Sequence, residues 1–381
     1  MMLSFIQTLT EAGRAGAIPH PEETALVSSS AALQSFKELT DVIQKPESIT
    51  IKWDGSIALV FGRLENGKLS IMDKYMYDRK SADGTPNPYF AQSPADWQKW
   101  DEAKASGKLR GNIYEDLTAM WDPLDATVGS STGFFWGDLM WSSPTNPLQI
   151  DAEQKLTFGK NKVNYKVPVK SPLGQKCVGR VAGIAVHQYA SSFASGFTQW
   201  NGQGLESTDQ ITILSPTEGK QEGFSLSSPV KQIKIAKAAL APANCKLIDD
   251  TLNGIREPAS IIMALTKYLN TVAKGQTHQT VYEWLQANIS GKQYAALVGE
   301  NQDGYLVQHA TGWQAIQNAF LALNNLKNAM ANELESQIPP ELEQYIGGQR
   351  SGEGFVFNSP EGLRKIVNKG VFTAAQSAYK R

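Results

Sequence analysis

Cysteine is nearly absent: Cys177 and Cys245 are the two in 381 residues, far apart and with no second pair near either. Such spacing supports neither a zinc cluster nor a disulfide framework, so a reducing compartment is the expectation. Histidine is as scarce, and His20, His278 and His309 lack the spacing of zinc ligands. Net charge is missing too. With 36 Lys+Arg against 37 Asp+Glu the formal charge is -1, which excludes a strongly basic chain built to coat nucleic acid but allows a local basic groove. No apolar run approaches the ~20 residues of a membrane span; Ile261-Ile262-Met263-Ala264-Leu265 is among the longest. The opening Met-Met-Leu-Ser-Phe-Ile-Gln lacks the basic start and apolar stretch of a signal peptide. A cytoplasmic protein without membrane contact is therefore expected. Hydrophobic residues make up 41%, enough for the core of one large or two modest domains.

The periodicity changes along the chain. Residues 1–47 read as a helical lead-in, with Leu33, Phe36, Leu39 and Ile43 at helical spacing. From Ser48 the period becomes two, through Ile49, Ile51, Ile57, Leu59 and Phe61, and a turn at Glu65-Asn66-Gly67 leads into Leu69–Met72, which spells a hairpin. Residues 80–125, rich in Trp, Asp, Pro and Gly, suggest surface loops and short helices. Strand character returns at Gly133–Trp136, Val163–Val169 and Arg180–Tyr189. Trp313, Ile316, Phe320, Leu323, Leu326, Met330 and Leu334 then mark one face of a long helix before Pro339-Pro340. The expected division is a lead-in at 1–47, a sheet domain at 48–195, a helical insertion at 196–345 and closing strands at 346–381.

Gly62-Arg63-Leu64-Glu65-Asn66-Gly67-Lys68-Leu69 has the spacing of a phosphate loop, but Leu69 stands where a hydroxyl should hold magnesium, and no helix start follows. A plain hairpin turn explains it better. Upstream, Ile51-Lys52-Trp53-Asp54-Gly55-Ser56 places Lys52 and Asp54 on one face of an extended segment, so an amine and a carboxylate share a cleft. His187, after the apolar Ile184–Val186, reads as a satisfied core or rim histidine. Lys155, Lys160, Lys162, Lys166, Lys170, Lys176 and Arg180 form a cationic run without an acid. It suits a groove tracking a phosphate backbone, or a solvated strand face.

Lys52-Trp53-Asp54-Gly55 resembles the nucleophile motif of the covalent nucleotidyltransferases, the superfamily of ATP-dependent DNA ligases, RNA ligases and mRNA capping enzymes. Further stretches resemble its other motifs in order: Phe134–Trp141 the third, Ser351–Phe357 the fourth, and Arg364–Lys369 the fifth. The resemblance implies an α+β fold, an antiparallel-sheet nucleotidyltransferase domain, the ATP-grasp-like adenylation domain of ligases; the helical periodicity adds to it a large helical insertion. The resemblance also implies that Lys52 attacks the α-phosphate of ATP to form lysyl-AMP, which needs a neutral amine. Ile51, Asp54, Gly55 and Ser56 would shape the turn and bind the nucleotide, Asp138 would meet the ribose or the metal, and Tyr165 would stack on the base. Glu353 would sit by the lysine and Mg²⁺, and Lys365, with Lys369, would neutralise phosphate charge. Lys74 and Arg79 are both candidates for the nucleotide-binding cation that follows the first motif.

Asp138 stands where the family usually has Glu, and the helical insertion has no counterpart in ligases. The sequence ends at Arg381, leaving no room after Lys365 for the C-terminal oligonucleotide-binding barrel of DNA ligases. These departures lean towards an RNA ligase or a phage-type variant, acting in the host cytoplasm if phage-encoded. The expected partner is a nucleic acid with 5′-phosphate and 3′-hydroxyl ends, RNA ahead of DNA, and the expected state a monomer. The alternatives are a GTP-using capping-type enzyme or other nucleotidyltransferase, and a non-catalytic nucleotide- or nucleic-acid-binding descendant.

Overall fold

A computed structural model describes residues 20–103, 112–160, 163–215, 224–227, 229–255, 258–276, 279–299, 303–338, 340–360 and 362–370. Two compact units emerge, one of Met1–Ile49, Gly223–Gln337 and Gly354–Ala374, the other of Thr50–Glu222, Ile338–Glu353 and Ala375–Arg381. In chain order the strands are β1 (Ile49–Ile51), β2 (Ala58–Arg63), β3 (Leu69–Asp73), β4 (Phe134–Ser142), β5 (Gln149–Ile150), β6 (Lys155–Lys160), β7 (Val163–Pro168), β8 (Ala182–Ala190), β9 (Thr198–Gln199), β10 (Ile211–Leu214), β11 (Glu343–Ile346), β12 (Gln349–Arg350), β13 (Phe355–Ser359) and β14 (Gly362–Ile366). The fold class is α+β with largely antiparallel sheets.

The unit of Thr50–Glu222 is built on two sheets. One runs β10-β8-β4-β2-β3, with β9 also on β8. Its β8–β10 pair is parallel, a departure from the antiparallel expectation that the long return from Ala190 to Ile211 permits. The other runs β12-β11-β7-β6-β5 and is antiparallel throughout. In β7, Val163, Tyr165 and Val167 are buried while Asn164, Lys166 and Pro168 are less so, the period of two that a one-sided sheet requires. Trp141 of β4 and Phe158 of β6 meet with ring centroids 5.3 Å apart, so the two sheets share an aromatic layer. The phosphate-loop lookalike is the β2–β3 hairpin turn, with Gly67 at φ 77° and Lys68 N–H donating to Asn66.

The stretch expected as surface loops and short helices does contain two helices, Pro94–Glu102 and Ile113–Val128, but they close this core and do not lie on the surface. Trp97 is fully buried and donates its indole N–H to the Ile71 carbonyl at 2.7 Å. Leu117, Met120, Leu124 and Val128 are buried on one helical face. Pro123 lies inside that helix; a proline mid-run argues for a break, and here packing overrides it.

The other unit is mainly helical. Ser28 caps the helix Ser29–Gln44 by accepting from Ala31 N–H, and the helix Ala310–Glu335 buries Trp313, Ile316, Phe320, Leu323, Leu326, Met330 and Leu334 as the spacing anticipates. The hairpin β13–β14 belongs here too. The helical lead-in and the closing hairpin thus group with the helices, while β9, β10 and β11 lie in the sheet unit. Those strands fall within or at the end of the stretch expected as helical at 196–345 and are too short to announce themselves. Among the described residues, no helix is long and apolar enough to cross a membrane.

Candidate active site

The chain leaves β1 into Lys52-Trp53-Asp54-Gly55-Ser56, and alternation sorts its side chains. Trp53 is buried, donates its indole N–H to the Ser215 carbonyl at 3.2 Å and packs 4.9 Å from the Tyr165 ring. Lys52 and Asp54 point the other way and meet, Nζ to Oδ1, at 3.7 Å. Three hydrogen bonds fix the turn: Asp54 N–H to the Tyr165 hydroxyl at 2.8 Å, and the Ser56 N–H and hydroxyl to the Leu139 carbonyl at 2.9 and 3.1 Å. Glycine at 55 is a steric necessity. A Cβ there would lie 2.5 Å from the Leu139 oxygen and 2.9 Å from the Asp138 Cβ, so this close approach also brings Asp138 alongside the turn.

Glu353 arrives from 301 residues away and forms an ion pair with Lys52. The glutamate side chain is 5% exposed and the lysine 15%. Glu353 is held by its own backbone, whose N–H donates to the Gln344 side-chain oxygen at 3.0 Å. Gln344 of β11 faces Tyr165 of β7 in register, so one strand pair supplies the supports for both the Lys52 turn and Glu353. Gly354, next in sequence, adopts φ 111°, a conformation costly for any residue with a Cβ.

Burial works against charge on the Lys52 amine, but Glu353, Asp54 and Asp138 outweigh it and hold its pKa above the ordinary lysine value. The free protein therefore carries Lys52 as an ammonium. Burial likewise opposes charge on Asp138, yet a hydrogen bond from His187, the Lys52 charge and the Gly55 amide lower its pKa. His187 Nε2 lies 3.1 Å from Asp138 Oδ2. It gets there by a bulge: Trp136 faces Gln188 and Gly137 faces Val186, leaving His187 as the extra residue of β8. Sequence reasoning placed His187 at a core or rim and missed both this partner and Gln344. The bulge leaves no mark in the sequence, and Gln344 lies in a four-residue strand.

The other candidates scatter. Ile51 is buried in β1 beside the turn. The registers Leu59 to Asp73 and Ala58 to Asp138 bring Lys74 to the same end of the sheet as Asp138, whereas Arg79 sits exposed with its guanidinium 6.0 Å from the Trp100 ring. Tyr165, expected to stack on a base, is fully buried between Trp53 and Phe158; its rings are spoken for, and its service is the hydroxyl under Asp54. Lys365 lies on β14 opposite Val356. Lys369 is buried in the helical unit against Glu22 at 2.9 Å and Glu23 at 2.8 Å, so its charge is already answered there. In the cationic run, Lys155 pairs with Glu343 and Glu153, and Lys166 with Asp151. Lys162 and the side chain of Lys160 lie outside the described residues.

Among the described residues, no three His, Cys, Asp or Glu side chains are placed to hold a metal by themselves. Magnesium is commonly held by one or two carboxylates with phosphate oxygens and water completing the shell, so Glu353 and Asp138 fit such an ion only together with a phosphorylated ligand.

The chain belongs to the family of unknown function DUF6267, whose profile matches residues 18–379. No curated protein and no solved structure matches it.

Proposed function

We propose that this DUF6267 chain is a covalent nucleotidyltransferase that takes ATP and joins polynucleotide ends, RNA ahead of DNA. One observation carries the reading: a lysine on a glycine-requiring turn, partly buried, ion-paired to a glutamate from the far end of the chain and flanked by two more carboxylates. Lys52 Nζ attacks the α-phosphorus of ATP, an N–P bond forms, and the P–O bond to pyrophosphate breaks. AMP then passes to a 5′-phosphate, and a 3′-hydroxyl displaces it as the phosphodiester forms.

The amine must first lose a proton, and the carboxylates that raise its pKa stand in the way. Bound Mg²⁺ supplies positive charge that offsets them. Glu353 and Asp138 would hold that charge, and Asp54 and the Gly55 turn orient the amine. A second reading draws on the same ion pair: a charged, paired Lys52 also suits a nucleotide-binding module that does not turn over.

Incubation with Mg²⁺ and α-labelled ATP or GTP separates these. An acid-labile, alkali-stable adduct from ATP that disappears in Lys52→Ala supports the ligase, and nicked RNA, nicked DNA and single-stranded 5′-phosphorylated RNA then rank its substrates. Adduct from GTP alone indicates a capping-type enzyme. No adduct from either nucleotide refutes both enzyme readings.

A further inference from the structure

Lys155 and Lys166 of the cationic run are matched by acids, but Arg180 at its end is not. Among the described residues no carboxylate pairs with its guanidinium, and its Nε is shielded from solvent without a hydrogen-bond acceptor. A buried guanidinium donor left open is unusual, because such groups are generally satisfied. Arg180 lines a cavity of about 280 Å³ whose other walls include Leu148, Ile150, Leu156, Val178 and Val181. Ile150 is 52% exposed. It lies in β5, the last strand of its sheet, where both residues are exposed.

We infer that this cleft binds the C-terminal residue of a peptide chain ending in an aliphatic side chain. The aliphatic walls take the side chain, and Arg180 takes the terminal carboxylate through the paired Nη–H donors at the tip of its planar guanidinium. The volume lies just below that of drug-sized ligand sites, which suits one residue and its carboxylate. The outer edge of β5, on which no other described strand pairs, lets the preceding residues run alongside as an added strand, a recurrent way of capturing extended peptides. The walls argue against a nucleic acid here, because they offer no aromatic face to stack a base.

The test titrates the full-length protein with the peptide acetyl-Gly-Ser-Gly-Leu as free acid and as C-terminal amide, read by calorimetry or by NMR of the peptide. The free acid should bind saturably and the amide at least tenfold more weakly. Arg180→Gln should cost the acid tenfold or more. Ile150→Asp, at an exposed position that leaves folding intact, should weaken it too by placing like charge at the cleft mouth. Equal binding of acid and amide, no saturable binding of the acid, or undiminished binding in Ile150→Asp overturns the assignment. So does displacement of the peptide by inorganic phosphate or a short oligothymidylate at lower concentration than by isovalerate, which would give Arg180 to phosphate.

Discussion

Replacing Glu353 by Gln should free the Lys52 amine, and the size of the effect follows from burial. Two unit charges ~4 Å apart at an effective dielectric of ~20 interact by about 4 kcal/mol, or roughly 3 pK units at about 1.36 kcal/mol per unit. Glu353 and Lys52 are mostly buried, at 5% and 15% exposure, so little of this is screened, and losing the carboxylate should lower the lysine midpoint by about 2–3 units. The sign is fixed: Glu353 raises the midpoint while burial lowers it, so losing Glu353 can only bring it down. Asp54 provides the internal control. It lies 3.7 Å away but is 41% exposed, so Asp54→Asn should move the midpoint by less than about one unit. Competitive acetylation in metal-free buffer across the alkaline range, read by mass spectrometry of the Lys52 peptide, measures the midpoint without invoking nucleotide. Free Nα-acetyl-lysine amide, acetylated in the same mixture, serves as reference. The reasoning fails if wild-type Lys52 titrates with the reference, if Glu353→Gln leaves it unmoved, or if Asp54→Asn moves it more.

Other expectations test the scaffold. Tyr165→Phe removes the acceptor of the Asp54 N–H and should cost about 1–3 kcal/mol in denaturant unfolding, the usual range for an orphaned buried donor; an unchanged midpoint would remove the tyrosine from the site. Gly55→Ala drives a Cβ to within 2.5 Å of the Leu139 oxygen and should destabilise by about 1–3 kcal/mol, with Lys52 reactivity disturbed alongside; a stable variant with wild-type reactivity would contradict the close approach. In the helical unit, Lys327 is fully buried, ion-paired to Glu22 and pushed down to about 8 by burial against the pull of that glutamate. Burial raises Glu22, but Lys327 and Lys369 more than reverse this and hold it well below the ordinary carboxylate range. Its contribution to stability is therefore present above the unfolded value of 4.5 and is lost as pH falls through the folded one. Glu22→Leu alone should cost about 3–5 kcal/mol at neutral pH by stranding Lys327 and taking from Lys369 one of its two carboxylates, whereas Glu22→Leu with Lys327→Met should recover the part due to Lys327. Thermal unfolding against pH checks both, and equal destabilisation in the single and double variants would argue that the pair is not the cause.

What could be read from the sequence was what repeats locally. The hairpin of β2 and β3 announces itself through alternation and an Asn-Gly turn, and the face from Trp313 to Leu334 through its spacing. The helix Ile113–Val128 carries an equally good stripe, but Pro123 and the surrounding aromatic and acidic residues spoke for loops; only the sheet that the helix covers makes it persist. Unit membership was illegible for a related reason. The strands β9, β10 and β11 hold two to four residues each, and so short a run acquires its identity from the neighbour it pairs with, not from its own period.

The same distinction separates the parts of the candidate site. Lys52, Asp54, Gly55 and Glu353 lie in short, unusual strings; strand alternation puts Lys52 and Asp54 on one face, and the resemblance to the nucleotidyltransferase motifs is what sets Glu353 beside them. Tyr165 was found as an aromatic but given the wrong neighbour, because a strand's alternation fixes which side chains share a face and says nothing of which face is covered. Its ring is enclosed by Trp53 and Phe158, and its hydroxyl, not its face, reaches the turn. His187 and Gln344 act through registers, β4 against β8 and β11 against β7, and a register is a relation between distant segments. Lys369 shows the converse error. A lysine three residues past the end of a strand looks available to phosphate, yet Glu22 and Glu23, more than three hundred residues earlier, already answer its charge. Whether a charged side chain is free for a ligand is therefore decided by its distant partners, and for Lys52 those partners are the carboxylates that any nucleotide chemistry must first offset.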